Sequence, residues 1–187
     1  MTSFVIPTAE QRDDHLEYFR IDQDVIKTVR NMRKRLMRHY DVCLETVFDH
    51  LESMPEVAHY FIIPENLGYL KLGLRAHAEI VFQAKFDEHY YRECDVIGER
   101  HSKLEYPSHA YTSGYSNMLA AVIERGMKDK PTMKPAEVIA LNRVCLYDME
   151  LVMASFHRHQ LEKQAALHAD ALRVRDMIAN TPHSQTG

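Results

Sequence analysis

One histidine stands where an apolar side chain is expected. Phe86, Tyr90, Cys94, Ile97 and Leu104 recur in steps of three and four, the spacing of one helix face, and His101 falls on that stripe between Ile97 and Leu104. An imidazole pointed at a core has two ring nitrogens to satisfy. Either neighbours such as a carbonyl or a water take both, or one nitrogen binds a metal while a carbonyl one turn back, that of Ile97, holds the other. A second stripe, Leu67, Leu70, Leu74, His77 and Val81, has the same spacing, with Gly73 beside it. Glycine inside a helix costs ~1 kcal/mol relative to alanine and is tolerable where something large approaches the backbone. A helix-borne imidazole opposite a helix with such a gap suits a large, flat, mostly apolar group that needs one axial nitrogen, which is the chemistry of haem.

Other candidates are weaker. Glu56-Val57-Ala58-His59 matches the Glu-x-x-His pair of di-iron bundles, but such sites need two pairs and two further glutamates. His157-Arg158-His159 places neighbours on different sides of a helix, which reads as a solvated face. There is no glycine-rich phosphate loop and no serine nucleophile motif.

The elements that must position these residues read as helices throughout. Residues 1–12 form a flexible arm, and Asp13 to Phe19 a short leading helix that packs through Leu16 and Phe19. Asp22 suits an N-cap for a helix over 23–37, with Ile26, Val29, Met32 and Leu36 inward and Arg30, Arg33, Lys34, Arg35 and Arg38 on a basic outer face. A separate helix from about His39 to Leu51 carries Leu44, Val47, Phe48 and Leu51. Ser53-Met54-Pro55-Glu56 reads as a capping box opening a short helix with Val57, Tyr60 and Phe61, stopped by Pro64. Helices over 66–84, 86–106 and 108–125 follow, the last with Tyr111, Tyr115, Met118, Leu119 and Val122 inward. After a loop at 126–134, Pro135 suits the first position of a helix with Val138, Leu141, Val144, Cys145, Tyr147, Met149, Leu151 and Val152, running to about Phe156. Leu167, Ala171, Val174 and Ile178 then recur at four, three and four, a short heptad-like seam that continues the last helix. Asn180 to Gly187 reads as disordered. No strand pair with a turn dipeptide is found, so the fold class is all-α.

A chain of 187 residues supports one sizeable core. Apolar residues at 45% and charged residues at 27% make an ordinary soluble balance. A net charge of -4 without a basic patch argues against a nucleic-acid surface. No run approaches the ~18 apolar residues of a membrane span, and no signal peptide is read. Three scattered cysteines suggest a reducing, cytoplasmic setting.

The run Ala76-His77, Phe82-Gln83-Ala84-Lys85-Phe86-Asp87, Tyr90, Ile97-Gly98-Glu99-Arg100-His101, Pro107, Tyr111 and Tyr115 resembles the sensor globin of globin-coupled sensors and, more distantly, protoglobins. The likeness extends over about residues 16–155. It implies a globin-like fold with an extra N-terminal helix and a long C-terminal helix: a sensor globin domain over 13–160 and a linker or signalling-helix start within 161–187. It implies haem b, with His101 as proximal iron ligand, and Phe48, Phe61, Leu70, Gly73, Leu74, Ile97, Leu104, Tyr111 and Tyr115 about the cofactor. His77 holds a position usually given to histidine or tryptophan and reads as packing. Where family members have Phe-Tyr, whose tyrosine donates to bound oxygen, this chain has Val47-Phe48; where they have threonine it has Gly73. The implied function is sensing of a diatomic gas (oxygen, carbon monoxide or nitric oxide) through five-coordinate iron, without catalysis, in a homodimer built on the last two globin helices. The rival readings are a haem enzyme scavenging nitric oxide or peroxide, and a cofactor-free helical dimer.

Overall fold

The computed structural model describes residues 6–61 and 64–179, without the side chains of 64–66 and 179. Among the described residues all regular structure is helical: α1 (Arg12–Tyr18), α2 (Gln23–Glu52), α3 (Pro64–Gln83), α4 (Glu88–Lys103), α5 (Ser108–Met127) and α6 (Pro135–Ala179), with single 3-10 turns at Ala9–Gln11 and Ala58–Phe61. The all-α expectation holds. Asp22 caps α2 by accepting from the Val25 amide at 2.9 Å, and Asp87 caps α4 by accepting from the Tyr90 amide at 3.0 Å.

Several boundaries differ from the sequence reading. The two helices expected at 23–37 and 39–51 are one 30-residue helix. Nothing in Met37-Arg38-His39-Tyr40 breaks a helix, and His39 is buried there with its ring nitrogen 2.7 Å from Asp129. Ser53 does not open a helix. It ends α2, its hydroxyl donating to the His50 carbonyl at 2.6 Å, and only one 3-10 turn follows. Pro64 is the first residue of α3, a position where its missing N–H costs nothing. Within the expected N-terminal arm, residues 1–5 lie outside the described residues, but Pro7 is buried and Ile6 packs on the core. The expected disordered tail from Asn180 also lies outside them. The last helix runs without interruption through the seam.

The main core joins α2, α4, α5 and α6 around Val29, Leu36, Tyr90, Cys94, Leu141, Val144, Tyr147 and Leu151, all at most 1% exposed. Each buried aliphatic side chain contributes about 1.5–3 kcal/mol. The α1 helix is fastened to it by Arg12, which sits 4.1 Å from the Tyr91 ring centre and pairs with Glu88 at 2.7 Å. A smaller cluster of Leu44, Val47, Phe48, Leu51, Val57, Phe61 and Ala110 fills the space between α2, the 58–61 turn and the start of α5. Beyond Gln160 every described side chain of α6 is exposed, with Lys163 paired to Glu105 at the edge of the body, and the 161–178 stretch is about 27 Å of helix.

Candidate functional site

The α4 helix is held against α6 by a close crossing. A Cβ on Gly98 would lie 2.5 Å from Ser155 Cβ and 2.7 Å from the Phe156 amide nitrogen, so only glycine lets the helices approach this closely. Polar links lock the crossing. Ser155 donates to the Asp95 carboxylate at 2.5 Å, Arg158 pairs with the same carboxylate, and Gln160 donates to the Ser102 carbonyl at 3.3 Å. Arg158 and Ser155 hold Asp95 below the usual carboxylate range despite its burial. His101, one turn past Gly98, is fixed by this crossing.

His101 Nδ1 lies 2.8 Å from the Ile97 carbonyl and donates to it. That bond assigns the ring proton to Nδ1 and leaves the Nε2 lone pair free of any hydrogen bond among the described residues. Burial pushes the imidazole below its ordinary pKa, against the opposing pull of the carbonyl, which keeps it neutral, as a metal ligand must be. Its ring meets Tyr111 edge-on at 4.9 Å between centroids and Tyr106 at 5.4 Å.

A buried polar floor is set by Asp148 on α6, 0% exposed. Three helices send a side chain to its carboxylate. His77 Nε2 of α3 lies 3.0 Å from both oxygens, Cys94 Sγ of α4 3.6 Å from Oδ1, and the Tyr115 hydroxyl of α5 donates to Oδ2 at 3.0 Å. Burial lowers the His77 pKa, but Asp148 outweighs it and leaves the imidazole raised. Each helix then carries its stripe away from this node. Gly73 and Leu70 lie one and two turns from His77, Ile97 and His101 one and two turns from Cys94, and Tyr111 one turn from Tyr115, so the upper level stands about 6–10 Å above the floor. At that level α3 is not packed. A Cβ on Gly73 would meet nothing within 4 Å, and Leu70 is 40% exposed. One end is closed by the smaller cluster, where Phe48 meets Phe61 edge-on at 5.6 Å and Leu74 and Tyr106 pack alongside. This unpacked stretch of α3, with the α4 and α5 residues that lie one and two turns from the same node, is the candidate slot, apolar above and polar at its base. On its outer side α3 is tied to α2 by Arg75–Asp41 at 2.7 Å and by Lys71–Glu45 and Arg33–Glu79. Such surface pairs contribute ~0–1 kcal/mol each and serve to orient the helix.

The structure brings the sequence-derived residues together in three sets: Phe48, Phe61 and Leu74 in the smaller cluster, Ile97, His101, Tyr111 and Tyr115 along α4 and α5, and Leu70 and Gly73 on the unpacked stretch of α3. Leu104 stands apart. It is the C-cap of α4 and 59% exposed, so the stripe ends at His101. Asp148 was missed, although Leu141, Val144, Asp148 and Leu151 recur at three, four and three, and an acid on an apolar stripe was its signal. His77, read as packing, has a polar partner in that acid.

The arrangement matches a known architecture. The globin domain of the Geobacter sulfurreducens globin-coupled sensor superposes with a TM-score of 0.67 at 14% identity, covering 77% of this chain and 96% of that one, so the fold is that of a globin. The Protoglobin family model matches residues 8–162, and the chain belongs to that family. No curated protein matches the sequence.

Proposed function

We propose that the chain binds haem b in the slot, with His101 Nε2 as the single protein ligand to iron, and reports a diatomic gas (oxygen, carbon monoxide or nitric oxide) through five-coordinate iron. The observation that carries this reading is the oriented, neutral His101, bonded through Nδ1 to Ile97 and offering Nε2 beside an unpacked apolar wall. The residues present fit the group. Gly73 leaves room for a macrocycle, Leu70, Leu74, Phe48, Phe61 and Ile97 supply apolar surface, and Tyr111 fixes the imidazole plane from the side. Bound haem supplies the iron that takes the gas. The chain supplies the axial nitrogen, its orientation and the exclusion of water.

The reading as a sensor, and not an enzyme, rests on the same slot. Phe48, Leu70, Gly73 and Leu74 carry no acid or base for turnover, whereas signalling needs only a coupled helix. The projecting part of α6 is suited to be that helix. Ile139, Leu146, Met153, Leu167 and Val174 lie at multiples of seven residues, and Ile139, Leu146, Leu167 and Val174 are exposed. This face supports a homodimer through α5 and α6 that continues into the 161–178 segment. Three free buried thiols favour a reducing cytoplasm. We further read residues 13–160 as the sensor body and the rest of α6 as the signalling-helix start.

The direct test is His101→Ala. It should lose most haem on a desalting column, and added imidazole should restore part of the haem spectrum. Full haem retention with an unchanged spectrum would refute the assignment.

A further inference from the structure

His77, Cys94 and Asp148 come from three different helices, and their donor atoms all lie within 4.8 Å of one another. Asp148 and Cys94 are 0% exposed, so the carboxylate has no water to offset its charge. Carboxylates in such surroundings are paired with cations or bound to metal. One polar atom of the cluster, His77 Nδ1, has no hydrogen-bond partner among the described residues.

We infer that this cluster is a second metal site, a buried binding site for a divalent cation of the zinc type held by His77 Nε2, Cys94 Sγ and Asp148. It is separate from the haem site and does not require it. The donor set of one nitrogen, one sulfur and one carboxylate is that of zinc. One thiolate and one carboxylate balance two positive charges, so the occupied site is neutral and suits a dry interior. Tetrahedral bonds of about 2.0–2.3 Å place neighbouring donors roughly 3.3–3.7 Å apart. The 3.6 Å between Cys94 and Asp148 already lies in that range, and the 3.0 Å between His77 and Asp148 opens by a small turn of the carboxylate. The Tyr115 hydroxyl, 3.0 Å from Oδ2, is in reach as a fourth oxygen donor. On binding, the Cys94 thiol loses its proton to solvent as the sulfur–metal bond forms. Starting from the imidazolium paired with Asp148, His77 releases its Nε2 proton to solvent as the nitrogen–metal bond forms and keeps the one on Nδ1.

The test is zinc binding by the full chain against a chromophoric chelator, followed by X-ray absorption at the zinc edge, which haem iron does not obscure. One tight equivalent with one sulfur neighbour at about 2.3 Å is expected. Cys94→Ser and Asp148→Asn should lose it, while the Cys43→Ala/Cys145→Ala double variant should keep both equivalent and sulfur neighbour. If Cys94→Ser fails to fold, as read by helical circular dichroism, the double variant decides alone. Absence of a tight equivalent, or one with only nitrogen and oxygen neighbours, overturns the inference.

Discussion

The Nδ1 proton of His101 has one acceptor, the Ile97 carbonyl at 2.8 Å, and that bond decides which nitrogen offers its lone pair to the slot. On the opposite wall the residue-scale question is what would hold a polar ligand. Bound oxygen carries partial negative charge, and Phe48 offers it no hydroxyl. Tyr40, which packs on the same cluster as Phe48, directs its hydroxyl to the Leu74 carbonyl at 3.4 Å, while Tyr69 is 76% exposed. The unmodified protein should therefore release oxygen quickly. Phe48→Tyr should slow release about two- to tenfold, the worth of one hydrogen bond of ~0.5–1.5 kcal/mol, with a smaller change for carbon monoxide. Stopped-flow dissociation of both gases measures this. Slow oxygen release that Phe48→Tyr leaves unchanged but Tyr40→Phe accelerates would transfer the donor to Tyr40. His101 was legible in the sequence because a histidine interrupts an apolar stripe. The Asp148 node was not, because it joins His77, Cys94 and Tyr115 from three other helices and helical spacing relates only residues on one.

Among the elements, the α4–α6 crossing governs the site. Gly98 lies against the Ser155 side chain and the Phe156 backbone, and the backbone contact cannot be relieved by a rotamer change. Gly98→Ala should push α4 outward, lower stability by about 1–3 kcal/mol as overpacking does, and displace His101. Urea unfolding of the apo chain would measure the first effect and haem transfer to an excess of acceptor globin the second. Unchanged stability together with unchanged transfer would show that the crossing has slack. Helix identity was legible here from apolar period alone, and so was Pro135 at the start of α6. Helix ends were less so. The break expected near residue 38 is absent, and α2 continues from one core cluster to the other. Leu104 kept the right spacing but fell past the end of the helix, where spacing no longer fixes direction.

At the scale of the molecule, a globin body carries a helix that outruns it. Leu167, Val174 and Ile178 are 54–69% exposed, an apolar row that the proposed dimer would cover. Truncation after Gln160 should weaken self-association, read by sedimentation equilibrium, while leaving the absorption spectrum intact. Identical dimerisation constants would confine any contact to the α5 and α6 faces of the body. No helix among the described residues is long and apolar enough to cross a membrane. The slot and the projecting helix meet through α6, which carries Asp148 at one point and the seam at another. The central claim, that the slot takes haem, is tested most directly by titrating haem into the full chain and following the Soret band. The account predicts a sharp break at one haem per chain and a ferrous spectrum of five-coordinate, histidine-bound iron. A featureless rise without saturation, the same as with His101→Ala, would contradict it.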